Sequence, residues 1–103
     1  MEITWQAHHA VISERLKARA EAAVTKVARR LNRAVGATIR FERESTRCRV
    51  EVMLRAPRRK TLVSEGHGRY YGPALAVAVA HLTRQVAGER RTAKERAARG
   101  KRS

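Results

Sequence analysis

Ala37-Thr38-Ile39-Arg40-Phe41-Glu42-Arg43-Glu44-Ser45-Thr46-Arg47-Cys48-Arg49-Val50-Glu51-Val52-Met53-Leu54-Arg55 alternates between apolar and polar residues on both sides of Ser45-Thr46. Before that break, Ala37, Ile39 and Phe41 oppose Thr38, Arg40 and Glu42. After it, Cys48, Val50, Val52 and Leu54 oppose Arg47, Arg49, Glu51, Met53 and Arg55. Successive strand side chains point to opposite faces, so a period of two predicts a hairpin with one apolar and one polar face. The apolar face of such a sheet needs a covering layer.

Upstream, Ile3, Trp5 and Ala7 alternate with Glu2, Thr4 and Gln6, which predicts a first strand over residues 2–7. Ser13 is placed to cap a helix, and Glu14 adds a carboxylate where the helix dipole favours it. The helix is expected from Glu14 to about Asn32, ahead of Gly36. Leu16, Ala20, Ala23, Val24, Val27 and Leu31 recur at helical spacing as its core stripe. At about 100° per residue, Arg15, Arg19, Lys26, Arg29, Arg30 and Arg33 gather on a second face, roughly opposite the first. That stripe contains no acidic i,i+4 partner, unlike an ordinary solvated face laced with ion pairs.

Downstream, Pro57-Arg58-Arg59 reads as a turn with a doubly basic tip, followed by a short fourth strand from Lys60 to Gly66. Gly66, Gly68, Gly72 and Pro73 read as a flexible hinge before the last helix. In that helix Leu75, Val79, Leu82 and Val86 share one face, and the surrounding Ala and Val residues predict close packing. Past Gly88 the apolar stripe stops and the sequence turns basic. Residues 1–91 are therefore expected to form one domain. Residues 92–103 form a basic tail, either a helical extension or a disordered segment that orders on RNA. The layout is α+β, in the order β-α-β-β-β-α, with two helices on one face of a four-stranded, mostly antiparallel sheet.

Charge sets the class of partner. Twenty-four Lys and Arg against nine acidic residues leave +15 in 103 residues, well beyond the magnitude of about 2 to 8 that suffices for solubility. A polyanion is the expected partner, nucleic acid first and an anionic membrane second. No run approaches the ~18 apolar residues of a membrane span, and the N-terminus has no leader pattern. Cys48, the single cysteine, cannot form an internal disulfide and alternates onto the apolar face. A cytoplasmic protein is expected.

The catalytic and metal readings are weaker. His8, His9, His67 and His81 match no zinc spacing, and no second cysteine is available. A ribonuclease would pair His67 with Glu65 or His9, and nothing in the sequence brings these together. Gly66-His67-Gly68 lacks the spacing of a phosphate loop. Tyr70 and Tyr71 are candidates either for stacking on a base or for pinning the helix start to the sheet. No enzyme activity, cofactor, metal or small-molecule substrate is expected.

Several segments together resemble a known family: Met1-Glu2-Ile3-Thr4, His8-His9, Ser13-Glu14-Arg15-Leu16, the paired strands ending before Pro57, Tyr71, and His81-Leu82-Thr83-Arg84-Gln85-Val86. They are similar to the short ribosome hibernation promoting factors and ribosome-associated inhibitor A, the sigma-54 modulation family, over roughly residues 1–91. The resemblance implies a fold like the double-stranded RNA-binding domain. It also implies docking on ribosomal RNA of the small subunit, where messenger RNA and transfer RNA sit, with both helices facing the RNA. Members usually carry an aromatic residue where this chain has Arg19, and the Tyr71-Gly72-Pro73 segment is one residue longer here. The candidate RNA contacts are Arg15, Arg19, Lys26, Arg29, Arg30 and Arg33, then Arg58 and Arg59, then Arg84, Arg90, Arg91 and Lys94. The expected function is ribosome binding and translation inhibition by occlusion, as a monomer off the ribosome. The alternative is a ribosome assembly factor or ribosomal-protein-like RNA binder.

Overall fold

The computed structural model describes residues 1–31 and 33–100, with 93, 95, 97, 99 and 100 described by backbone alone. The elements are β1 (Glu2–His8), α1 (Glu14–Ala28), β2 (Gly36–Arg43), β3 (Cys48–Arg55), β4 (Leu62–Gly68) and α2 (Tyr71–Gly100). They form the expected β-α-β-β-β-α order and a sheet in the spatial order β1-β2-β3-β4. β1 pairs parallel with β2 across the α1 crossover, and the other two pairings are antiparallel.

The alternating stretch forms β2 and β3, registered Ile39 to Val52 and Phe41 to Val50. Its apolar side holds the core: Ile39, Phe41, Val50, Val52 and Leu54 are essentially solvent-free, beneath Val24 of α1 and Leu82 and Val86 of α2. Phe41 stacks on Trp5, ring centroids 6.2 Å apart, and meets Tyr71 edge-on at 5.7 Å. Such pairs add about 0.5–1.5 kcal/mol each beyond their burial. Ala7, expected inside, is exposed at the end of an edge strand.

The Ser13 hydroxyl accepts a hydrogen bond from the Leu16 N–H at 3.1 Å, so the expected cap is formed, an interaction worth about 1 kcal/mol. The helix stops at Ala28, short of the expected end at Asn32, which lies outside the described residues. Arg30 and Leu31 donate to carbonyls only three residues back, Val27 and Ala28. This tighter turn keeps Leu31 buried, so the apolar rhythm outlasts the helix. Arg33, at φ 64, then turns the chain towards β2.

Of the residues expected as a hinge, Gly66 and Gly68 belong instead to β4, and Gly72 and Pro73 to the first turn of α2. Gly66 pairs with Val50 and Gly68 with Cys48. A Cβ at Gly66 would fall inside the shell of the Ala74 carbonyl oxygen and 2.6 Å from the Ala78 amide nitrogen. Gly66 is a point of backbone contact between strand and helix, made possible also by the small, fully buried Ala74 and Ala78. α2 also shields the edge strand. Gln85 Nε2 donates to the Val63 carbonyl at 2.8 Å, and His81 Nδ1 donates to the Glu65 carbonyl at 2.9 Å. Both carbonyls would otherwise be open to another strand.

Residues 92–100, read from the sequence as tail, continue α2, and 101–103 lie outside the described residues. Thirty helical residues span ~45 Å. They draw the molecule out to 55 Å in its longest dimension, against 24 and 17 Å in the others.

Candidate nucleic-acid interface

On α1 the core stripe turns Arg15, Arg19 and Lys26 into solvent, and Arg29 and Arg30 follow on the closing turn, also exposed. The helix's ion pair, Lys17 with Glu14 at 3.6 Å, leaves the stripe untouched. Among the described residues, none of the twelve candidate cations has a carboxylate oxygen within 4 Å. Arg33, beyond the helix with a left-handed backbone, lies beside Arg29 and Thr25 and also lines a second cleft.

α1 and α2 are separated by a groove of about 380 Å3, lined by Ala23 and Val27 from one helix and Val79 and Thr83 from the other, with Lys26 and Arg30 alongside. Arg90 and Lys94 stand eleven residues after Val79 and Thr83, about three helical turns, so they prolong the α2 wall of this groove. Arg84 and Arg91 lie on the side of α2 away from the core, and both are exposed. Arg19 reaches the start of α2: a Cβ on Gly72 would lie 3.3 Å from its guanidinium. Gly72 therefore leaves space for the arginine at the start of the helix.

Arg58 and Arg59 are remote from the groove. They occupy the β3–β4 turn and, with Arg33, line a second cleft of about 600 Å3 that also receives Lys60 and Arg96. Lys60 and Arg96 were not singled out from sequence. Helical phase places Arg96 on the same side as Glu89 and Thr92, but only the tertiary fold brings that side to the turn.

The outer sheet face differs in charge. Arg49 Nη2 is 2.7 Å from both Glu51 and Glu65 carboxylates, and Nη1 is 3.3 Å from Glu42. The bond to Glu65 is the main reason that the Arg49 pKa is raised and the Glu65 pKa is lowered.

The fold does not bring His67 and His9 together. His67 is on β4, and His9 follows β1 at the opposite sheet edge, three strand spacings or ~14 Å away. His67 Nε2 lies 4.0 Å from Glu65, beyond hydrogen-bond reach. No group of three metal-ligating side chains occurs among the described residues. The two tyrosines differ in burial. Tyr71 packs on Phe41, and burial raises the pKa of its hydroxyl beside Cys48, whereas Tyr70 is 66% exposed. The buried Cys48 thiol donates to the Arg69 carbonyl at 3.6 Å. No helix among the described residues is long and apolar enough to cross a membrane.

The profile of the family described as "Sigma 54 modulation protein / S30EA ribosomal protein" matches residues 3–94. No curated protein matches the chain in sequence. Among solved structures, a ribosomal subunit interface protein from Coxiella burnetii superimposes with a TM-score of 0.80 at 14% identity, covering 87% of this chain and 98% of that one. The N-terminal domain of Thermus thermophilus Protein Y gives 0.73 at 18% identity, over 84% and 96%. At such identities the likeness to these two structures is one of fold.

Proposed function

Because this chain belongs to the sigma 54 modulation protein / S30EA ribosomal protein family, we propose that it is a cytoplasmic, non-enzymatic ribosome-binding protein whose helical face grips small-subunit RNA. In this reading it inhibits translation by occupying the space of messenger RNA and transfer RNA, and it is a monomer off the ribosome. The observation that carries the reading is the separation of charge. Cations along the α1–α2 groove stand without carboxylate partners among the described residues, while carboxylates collect on the outer sheet face.

The mechanism needs no bond to be made or broken. Lys26 and Arg30 at the groove, with the exposed Arg15, Arg19 and Arg29 on one side and Arg84, Arg90, Arg91 and Lys94 on the other, neutralise phosphates laid against the two helices. Each neutralised phosphate releases condensed counterions, which drives association. Phosphate contacts position the protein without reading sequence, so selectivity comes from the fit of the two-helix surface to folded RNA.

Co-sedimentation with purified ribosomes and an in vitro translation assay test this together. Binding to mature small subunits with loss of translation is expected, and binding should fall about a thousandfold or more between 50 and 200 mM salt. Enrichment only on immature subunits would favour an assembly factor instead.

A further inference from the structure

The cleft beside the β3–β4 turn is built differently from the groove. Of the three described non-glycine residues with positive φ, two are arginines that line it: Arg33 at 64° and Arg58 at 59°. The left-handed region favours glycine and tolerates asparagine, aspartate and histidine; arginine gains nothing there from its backbone. At Arg58 the mismatch is specific. The Arg59 N–H donates to the Ala56 carbonyl at 3.3 Å, closing a four-residue turn with Pro57 second and Arg58 third. Proline second with positive φ third is the type II pattern, whose third position calls for glycine. At both places the chain carries a guanidinium where its backbone would prefer glycine.

Hydrogen bonding holds the two arginines at one end of the sheet. Val35 N–H donates to the Arg55 carbonyl at 2.9 Å, tying the segment after Arg33 to the end of β3 that leads into the turn. α2 completes the wall through Glu89, Thr92 and Arg96. Five cationic side chains from three distant segments thus share one cleft with a single carboxylate. None of the five has a carboxylate within 4 Å among the described residues.

We propose that this cleft is a second anion site, separate from the α1–α2 groove, that takes a compact run of two or three phosphates, with Arg33 and Arg58 held in strained backbone to aim at it. The phosphates come either from a sharp bend in an RNA backbone, a source that rests on the ribosomal reading above, or from a free oligophosphate, which does not. The shared chemistry is several negative charges within a few ångströms, which orthophosphate lacks and forked guanidinium donors suit.

Titration calorimetry of the full chain at roughly 0.15 M salt with inorganic triphosphate and with orthophosphate tests the site without ribosomes. Triphosphate is expected to bind saturably at one site per chain, and orthophosphate at least about tenfold more weakly. Arg58→Gly should weaken triphosphate binding about tenfold while raising the melting temperature, because it removes a contact and relaxes the backbone together. Arg33→Asn should act in the same direction, and Arg40→Gln on the outer sheet face should change neither quantity. The source is read from a small-subunit RNA fragment. Weaker RNA binding by Arg58→Gly, with triphosphate competing, assigns the cleft to RNA. Unchanged RNA binding with triphosphate still bound assigns it to a free ligand. Absence of saturable triphosphate binding, the same affinity in Arg58→Gly, or an equal loss in Lys26→Ala would overturn the proposal.

Discussion

The helical face and the outer sheet face of this small domain both carry arginines and treat them in opposite ways. On the sheet, Glu42, Glu51 and Glu65 converge on Arg49, and Glu44 holds Arg47 at 3.0 Å. Five of the nine glutamates, Glu2, Glu42, Glu44, Glu51 and Glu65, lie on this face or in its hairpin. Along α1 and α2 the candidate cations lack such partners among the described residues, as do Arg33, Arg58 and Arg59 at the second cleft. Net charge says that a polyanion is attracted, whereas the pairing of carboxylates says where it can sit.

The strongest way to break the comparison is to lift α2 from the sheet. Gly66→Ala places a methyl against the α2 backbone, and the cost should be about 3 kcal/mol or more. Urea unfolding should show a large drop in midpoint or no folded baseline. Next in size is reversal of the helical face alone. Arg15→Glu, Lys26→Glu and Arg30→Glu together should lower ribosome affinity at least about a hundredfold with little change in melting temperature, while Arg40→Gln stays near wild type.

Arg49→Ala sharpens the contrast from the other side. It leaves three carboxylates facing one another and should cost about 1 kcal/mol of stability, with ribosome binding unaffected. The Glu65 pKa is lowered in the fold, chiefly by its bond to Arg49. Its contribution is therefore present above the unfolded carboxylate pKa and is lost as pH falls through the folded value. Urea midpoints across that acidic range should decline less steeply in Arg49→Ala than in wild type. The smallest effect is expected at Gly88, where a Cβ would meet nothing within 4 Å. Gly88→Ala should stabilise by about 0.8–1 kcal/mol and leave binding intact, visible as a small rise in thermal midpoint.

Local period made much of this legible. Residues 37–55 alternate because their two faces meet different surroundings, and β2 and β3 follow with the expected residues inside. Helical phase likewise separated Leu16, Val24 and Val27 from Arg15, Arg19 and Lys26. What failed was what depends on a distant element. Leu31 stays in phase through a tightened turn, so the end of α1 was hidden. Gly66 looks alike in sequence whether it frees a hinge or admits a helix backbone, and only the position of α2 decides. Tyr70 and Tyr71 are neighbours with opposite fates because the helix begins between them. Arg33, Arg58 and Arg96 share a cleft that no local spacing encodes.

The central claim, that ribosomal RNA lies against the helices and not against the open sheet, is tested most directly by RNA cleavage from a tethered iron chelate. In a Cys48→Ala background, single cysteines introduced by Lys26→Cys on the helical face and by Thr4→Cys on the outer sheet face would carry the probe on ribosome-bound protein. Strong, localised cuts in small-subunit RNA from position 26 and weak or no cuts from position 4 are the expected result. Equal cutting from both positions, or stronger cutting from position 4, would contradict it.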